Sequence, residues 1–249
     1  MRGILRLSPP RQEDCAHGPL NGMSRRHGVS RRQRCVAKPS LCVVTFNHDI
    51  TGIMLNIPGH SSRPQINGAI LQAGVSDREA WEFLLESQEE KDSCAAVLAE
   101  AQRLIAAGKE EEIVFREGNV VQKELDAAIS AYRTNSLLAK GGDDDYFSTD
   151  LDDETLRKSF GSIPHTAPLM FLLGSQDPFV HKSTDKTRLL QRWAGFVKEG
   201  GGTVDEVHGG IVEGGHHNLD GDPEEVVGDL VQRVVGFVQG LEQAAESGL

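Results

Sequence analysis

Pro168-Leu169-Met170-Phe171-Leu172-Leu173-Gly174-Ser175-Gln176-Asp177-Pro178-Phe179-Val180 is the stretch that decides the fold. The uncharged run between Pro168 and Gly174 suits a strand buried on both faces, the condition of a strand in the middle of a parallel sheet. After Gly174 a short polar loop delivers one carboxylate, Asp177, at the carboxyl end of that strand. Open α/β sheets place their chemistry there, so position alone makes Asp177 a site candidate. It also has a local reading, because Asp ahead of Pro178 is a favoured turn former.

Downstream, residues 185–198 place Leu189, Leu190, Trp193, Phe196 and Val197 on one face of a helix, with Ser183 or Thr184 as cap and Gly200 as terminator. A further strand is predicted over 203–208 or 210–212, followed by a glycine-rich loop carrying His216, His217 and Asn218. The last helix has Asp222 as cap, Pro223 at its first position and Glu224 and Glu225 in its first turn. Its apolar stripe is Val227, Leu230, Val231, Val234, Phe237, Val238 and Leu241.

Upstream, residues 67–75 read as a buried strand closed by Ser76-Asp77-Arg78-Glu79, the spacing of a capping box. One long helix should start there, with Trp81, Leu84, Leu85, Cys94, Val97, Leu98, Ala101, Leu104 and Ile105 as its stripe and Gly108 as its stop. Residues 109–145 are acidic and weakly periodic, with a short helix over 127–138. The run Gly141-Gly142-Asp143-Asp144-Asp145 reads as a turn or solvated loop, since consecutive carboxylates lack the alternating spacing of a calcium loop. Residues 41–46 form a short β-branched strand, and 47–56 are read as one or two helical turns before Pro58-Gly59. Strand and helix thus alternate three times from Asn67 onward, which predicts an α/β fold with a mostly parallel sheet and helices on both faces.

Charge divides the chain. Residues 1–40 carry nine Lys or Arg against Glu13 and Asp14, so the net charge of −11 is concentrated in the remainder. The basic arm has few large apolar residues to offset its ordering entropy, and residues 1–40 are read as a disordered arm ahead of a domain over 41–249. The arm lacks aromatic interleaving and a clean amphipathic period, so neither a nucleic-acid partner nor a transit role is assigned to it. No run approaches 18 apolar residues and no secretory-type segment lies near the start, so the expectation is a cytoplasmic protein with no membrane partner. Cys15, Cys35, Cys42 and Cys94 have no CxxC spacing and are read as free thiols.

Asp177 and His217 each follow a strand, in the order acid then histidine. Hydrolases of the α/β type order their triad as nucleophile, acid, histidine; the acid orients the imidazole, which takes the nucleophile's proton. A histidine on a strand-end loop suits that work because its proton affinity lies near neutrality. His216 is the competing histidine. The set His208, His216 and His217 lacks a cysteine or paired carboxylate, so no metal and no cofactor are expected.

Residues 63–80 (Arg63-Pro64-Gln65-Ile66-Asn67-Gly68-Ala69-Ile70-Leu71-Gln72-Ala73-Gly74-Val75-Ser76-Asp77-Arg78-Glu79-Ala80), Asp145-Tyr146-Phe147-Ser148-Thr149-Asp150-Leu151 and Gly215-His216-His217-Asn218-Leu219 carry a resemblance to the DUF1749 family of fungal and plant α/β hydrolases. It covers about residues 54 to 243. That family includes a cytosolic siderophore esterase acting on fusarinine-type esters. The resemblance implies an esterase fold, with Asp177 as acid, His217 as base and a small-molecule ester, such as a siderophore, as substrate.

The sequence departs from the family at the nucleophile. The family's serine sits in a Gly-His-Ser-Thr-Gly elbow, and no G-x-S-x-G occurs here. The nearest text is Gly59-His60-Ser61-Ser62-Arg63, which makes Ser61 the candidate nucleophile. Only a few residues separate it from the strand beginning near Asn67, whereas a parallel crossover takes a dozen or more. The other position is Asn47-His48-Asp49-Ile50-Thr51, at the end of the 41–46 strand, with a carboxylate in the serine's place and no first glycine. An enzyme of this fold also spends about a hundred residues before its nucleophile, so the chain reads as a truncated α/β hydrolase with its front part lost or replaced. Two readings follow: a weak or inactive serine esterase, or a non-catalytic remnant that serves as a binding module or comes from a mis-assembled gene product.

Overall fold

The computed structural model describes residues 43–45, 67–114 and 119–247. The expectations for residues 1–40, for the turns at 47–56 and for Ser61 lie outside these residues. Four parallel strands, β1 (Val43–Thr45), β2 (Ala69–Gln72), β3 (Leu169–Gly174) and β4 (Gly210–Val212), stand side by side in chain order. The described helices are α1 (Asp77–Leu84), α2 (Gln88–Ala106), α3 (Val120–Leu125), α4 (Ala131–Leu138), α5 (Asp153–Ser159), α6 (Lys186–Glu199) and α7 (Glu224–Ser247).

All six residues of β3 are buried. Because side chains alternate across a strand, they feed two cores. Leu169, Phe171 and Leu173 join Ala69 and Leu71 on one face, under Leu156, Phe160, Leu189, Trp193 and Val197 of α5, the 3-10 turn Phe160–Ser162 and α6. Trp193 meets Phe147 edge-on at 5.3 Å between ring centroids and stacks on Phe160 at 5.9 Å. Each such pair contributes about 0.5–1.5 kcal/mol beyond the area it buries. On the other face Met170, Leu172, Ile70 and Val212 lie under α7, anchored by Phe237. Val226, Leu230, Val234 and Leu241 complete that row, while Val227, Val231 and Val235 face outward, so the broad stripe expected of this helix narrows to the row that meets the sheet.

Several expectations are corrected at the ends of elements. β2 stops at Gln72 rather than Val75, because Ala73 takes a left-handed turn (φ 52°). The long helix expected from Ser76 to Gly108 is two: Ser76 caps α1, but the chain breaks after Leu84 and restarts at α2, where Ser87 and Glu90 form a complete capping box. The break lets Trp81 and Leu85 of the first segment pack with Val97, Ala101 and Leu104 of the second in a third core that also takes in α3 and α4. α4 begins at Ala131 on a Ser130 cap, and α3 and α5, capped by Asn119 and Asp152, had no counterpart in the periodicity. The cap of α6 is Asp185 rather than Ser183 or Thr184. Of the two strand options, 210–212 forms; Val204 makes one isolated bridge to Leu169.

The acidic run is not solvated throughout. Asp145 is buried and accepts from the Gly141 N–H, the Ser148 hydroxyl and Arg78, while Asp144 pairs with Arg133 and Ser136. These bonds belong to a seam between two distant stretches. Arg78 also pairs with Asp150, Glu79 accepts from the N–H and hydroxyl of Thr149 (2.9 and 2.8 Å), and the Ser76 and Ser148 hydroxyls bond to one another. Residues 76–79, which leave β2 for the helical excursion, are thereby fastened to residues 145–150, where the chain returns.

Candidate active site

The site is built where two parallel neighbours end. β3 stops at Gly174, and the chain leaving β4 crosses directly over it: a Cβ at Gly174 would fall inside van der Waals contact with the Gly215 carbonyl and 2.9 Å from the His216 carbonyl oxygen. Glycine is required here for close approach of backbone to backbone. The two loops are zipped together by main-chain bonds, Ser175 N–H to the Val212 carbonyl (3.0 Å) and Gln176 N–H to the Gly215 carbonyl (2.9 Å). The Gly214 N–H adds a bond to the Ser175 hydroxyl at 2.8 Å.

This crossing brings Asp177 and His217 together. Asp177 is 2% exposed, and both its carboxylate oxygens are engaged: Oδ1 accepts the Phe179 N–H at 3.0 Å, and Oδ2 lies 2.9 Å from Nδ1 of His217. A carboxylate can only accept, so the Nδ1 position carries the hydrogen, and in the neutral imidazole that leaves Nε2 with the lone pair. Phe179 presses edge-on against the imidazole, with ring centroids 4.8 Å apart, and fixes its plane. The His217 side chain remains 28% exposed. A shielded, oriented imidazole with an open Nε2 can take a proton from a hydroxyl and return it to a leaving group.

Lysine 186, in the first turn of α6, closes the acid loop from below. Its ammonium donates to the carbonyls of Gly174 (3.3 Å), Ser175 (2.8 Å) and Asp177 (3.2 Å). Burial pulls this lysine below its ordinary proton affinity, against an opposing contribution from the nearby Asp177 charge. From above, Phe83 of α1 lies 6.0 Å from the ring of His181, so the helical layer touches the same loop.

The other histidines are employed elsewhere. His216 turns away to Asp222, which accepts from its N–H at 2.7 Å and from Nδ1 at 2.6 Å. His208 is held by Asp205 at 2.7 Å. The structure thus selects His217 over His216 as the partner of Asp177. Ser61, and the competing position Asn47 to Thr51, lie outside the described residues. β1 does run parallel to β2 and ends at Thr45, on the edge from which Asp177 and His217 emerge. A cleft of about 1100 Å³ between α2 and α3, bordered by Ser87, Glu90, Asp92, Asn119, Lys123 and Asp126, includes no residue of the loops after β3 or β4.

Sequence reasoning missed Lys186, Phe179 and the role of Gly174. One signal was present for the lysine: a cation directly after an N-cap opposes the helix dipole and calls for another use.

A family model described as "Protein of unknown function (DUF1749)" matches residues 45–239. Among curated proteins the chain is similar to an esterase of Emericella nidulans, 33% identical over an alignment of 217 residues, with 74% of this chain and 58% of that protein covered. It is also similar to the fusarinine C esterase sidJ of Aspergillus fumigatus, 31% identical over 206 residues, with the same two coverages. The chain therefore spans somewhat more than half the length of these two relatives. Among solved structures it resembles the siderophore hydrolase EstB from Aspergillus fumigatus, with a TM-score of 0.62 and 26% identity, over 80% of this chain and 66% of that one.

Proposed function

The chain belongs to the DUF1749 family, and on that premise we propose that it is an ester hydrolase in which His217 is the general base, Asp177 orients it and Ser61 is the nucleophile. The observation that carries this reading is the 2.9 Å contact between residues 40 positions apart, made at the carboxyl edge of two adjacent parallel strands. In the reaction, Nε2 of His217 removes the nucleophile's proton as its oxygen attacks the ester carbonyl. The imidazolium, stabilised by Asp177, then protonates the departing alkoxide, and water repeats the sequence on the acyl-enzyme. The substrate class is a small-molecule ester, with siderophore esters favoured by the similarity to a fusarinine C esterase. A cytoplasmic setting is part of the proposal, on the resemblance to a cytosolic esterase. No described helix is long and apolar enough to cross a membrane.

Turnover is expected to be weak. The sequence around Ser61 has no G-x-S-x-G motif, the turn that in this fold aims backbone N–H groups at an oxyanion, and one such donor is worth about a hundredfold or more in rate. The same absence favours a second reading, a non-catalytic family member that binds such esters without cleaving them. A fluorophosphonate probe followed by peptide mapping separates the two: stoichiometric labelling at Ser61 that is lost in His217→Ala supports the esterase. A chain that is neither labelled nor able to cleave p-nitrophenyl or siderophore esters overturns it.

A further inference from the structure

Lys186 stands where a lysine is unfavourable on three counts. It occupies the first turn of α6, directly after the Asp185 cap, where the helix dipole is positive and where no acidic residue follows the cap. It is half-buried, and its ammonium is partly stripped of water. All three of its hydrogen-bond acceptors are main-chain carbonyls, and the carboxylate whose field reaches it, Asp177, is bonded instead to His217 and Phe179. Asp185, its neighbour in sequence, is occupied by the Arg188 N–H. Fold stability alone would be served better by an acidic or small residue at this position.

The three carbonyls belong to Gly174, Ser175 and Asp177, the backbone of the loop that must present Asp177 to His217. We propose that Lys186 is the positioning residue of the Asp177–His217 pair: by gathering these carbonyls around one ammonium it fixes the loop so that Asp177 Oδ2 meets Nδ1 and holds His217 in the Nδ1–H tautomer. The proposal rests on the reading of that pair as hydrolytic acid and base, but its physical content is a coupling between a lysine and a tautomer. Lysine suits the task because three donors on a flexible stem can meet carbonyls pointing in different directions, which the planar fork of arginine meets less well.

The test is the nitrogen spectrum of His217 in the full chain labelled at histidine, with folding monitored by circular dichroism. In Lys186→Met, which keeps the stem and removes the donors, the neutral His217 imidazole should shift from the Nδ1–H form toward the Nε2–H form. Ester turnover should fall about ten- to a hundredfold through kcat, the range for roughly 1 Å of misplacement, with KM within about twofold. Lys186→Arg should restore part of both. A folded Lys186→Met chain that keeps the wild-type tautomer overturns the proposal. If that variant does not fold, the coupling is read in reverse, since linkage is reciprocal. His217→Ala should speed hydrogen exchange of the Lys186 ammonium at least severalfold, and an unchanged exchange rate overturns the proposal. Absence of turnover with the tautomer still following Lys186 would refute the esterase reading alone; turnover with a tautomer indifferent to Lys186 would refute this proposal alone.

Discussion

At the amino end of β4, His208 binds Asp205 through Nδ1 at 2.7 Å; at the carboxyl end of the same strand, His217 binds Asp177 through Nδ1 at 2.9 Å. Judged by the hydrogen bond alone, the first pair is the tighter. What differs is the other nitrogen. Nε2 of His208 is pressed against α7, where a Cβ on Gly236 would collide with it, and Arg233 of the same helix donates to the His208 carbonyl at 3.2 Å. Its partner is three residues away, and the pair is a latch that seats a turn on a helix. The partner of His217 is 40 residues away on the loop after another strand, and among the described residues none is hydrogen-bonded to its Nε2. A histidine and a carboxylate become a candidate base when the fold spends long-range structure on holding them and leaves one nitrogen open.

The contrast breaks most sharply under Asp177→Asn or His217→Ala. Ester hydrolysis should fall about a thousandfold or more in kcat/KM, or to background, because an amide no longer enforces the tautomer. The same exchange at Asp205 or His208 should leave kcat/KM within about twofold. Gly174→Ala comes next: the new methyl group displaces the backbone carrying His217, costing at least about tenfold in activity and about 1–3 kcal/mol of stability. The stability loss is read as a melting temperature lower by about 2–4 °C per kcal/mol in a chain of this size.

His208→Ala should show the opposite profile, a loss of about 1 kcal/mol in thermal or urea unfolding with activity retained. Its pH signature is specific. Burial would raise the Asp205 carboxyl, but bonds from the His208 N–H and ring outweigh it and hold Asp205 below its ordinary 3.8. A depressed carboxylate stabilises the fold above the unfolded value, and that contribution is lost as pH falls through the folded one. Acid unfolding curves of wild type and His208→Ala should therefore converge below about pH 3–4. The smallest effect belongs to His216→Ala, with activity within about twofold, since this imidazole is spent on Asp222 at the start of α7.

How much of this could be read from sequence depends on how local the determining interaction is. β3 and the stripe of α6 were legible because burial on two faces, or on one helical face, repeats along a few adjacent residues. Asp177 and His217 were legible because the end of a parallel strand is a place that a strand-type run defines. The break between α1 and α2 was written in Ser87-x-x-Glu90 but was masked by an apolar period that ran through it. Lys186 offered only the signal of a cation in a first helical turn, because its acceptors are carbonyls, which every residue has. The seam from Arg78 and Glu79 to residues 145–150 was visible only as two family-like stretches, with nothing to show that one binds the other.

That seam has a consequence for how the family can change. The helical excursion leaves β2 and returns toward β3 through two stretches already within hydrogen-bond reach of each other, so residues 87–140 hang from the sheet as a cassette with a stitched base. Lengthening, shortening or exchanging the contents leaves the distance the sheet has to span unaltered. Natural variation in length and content is expected to accumulate inside that stitch, while the residues forming it stay fixed.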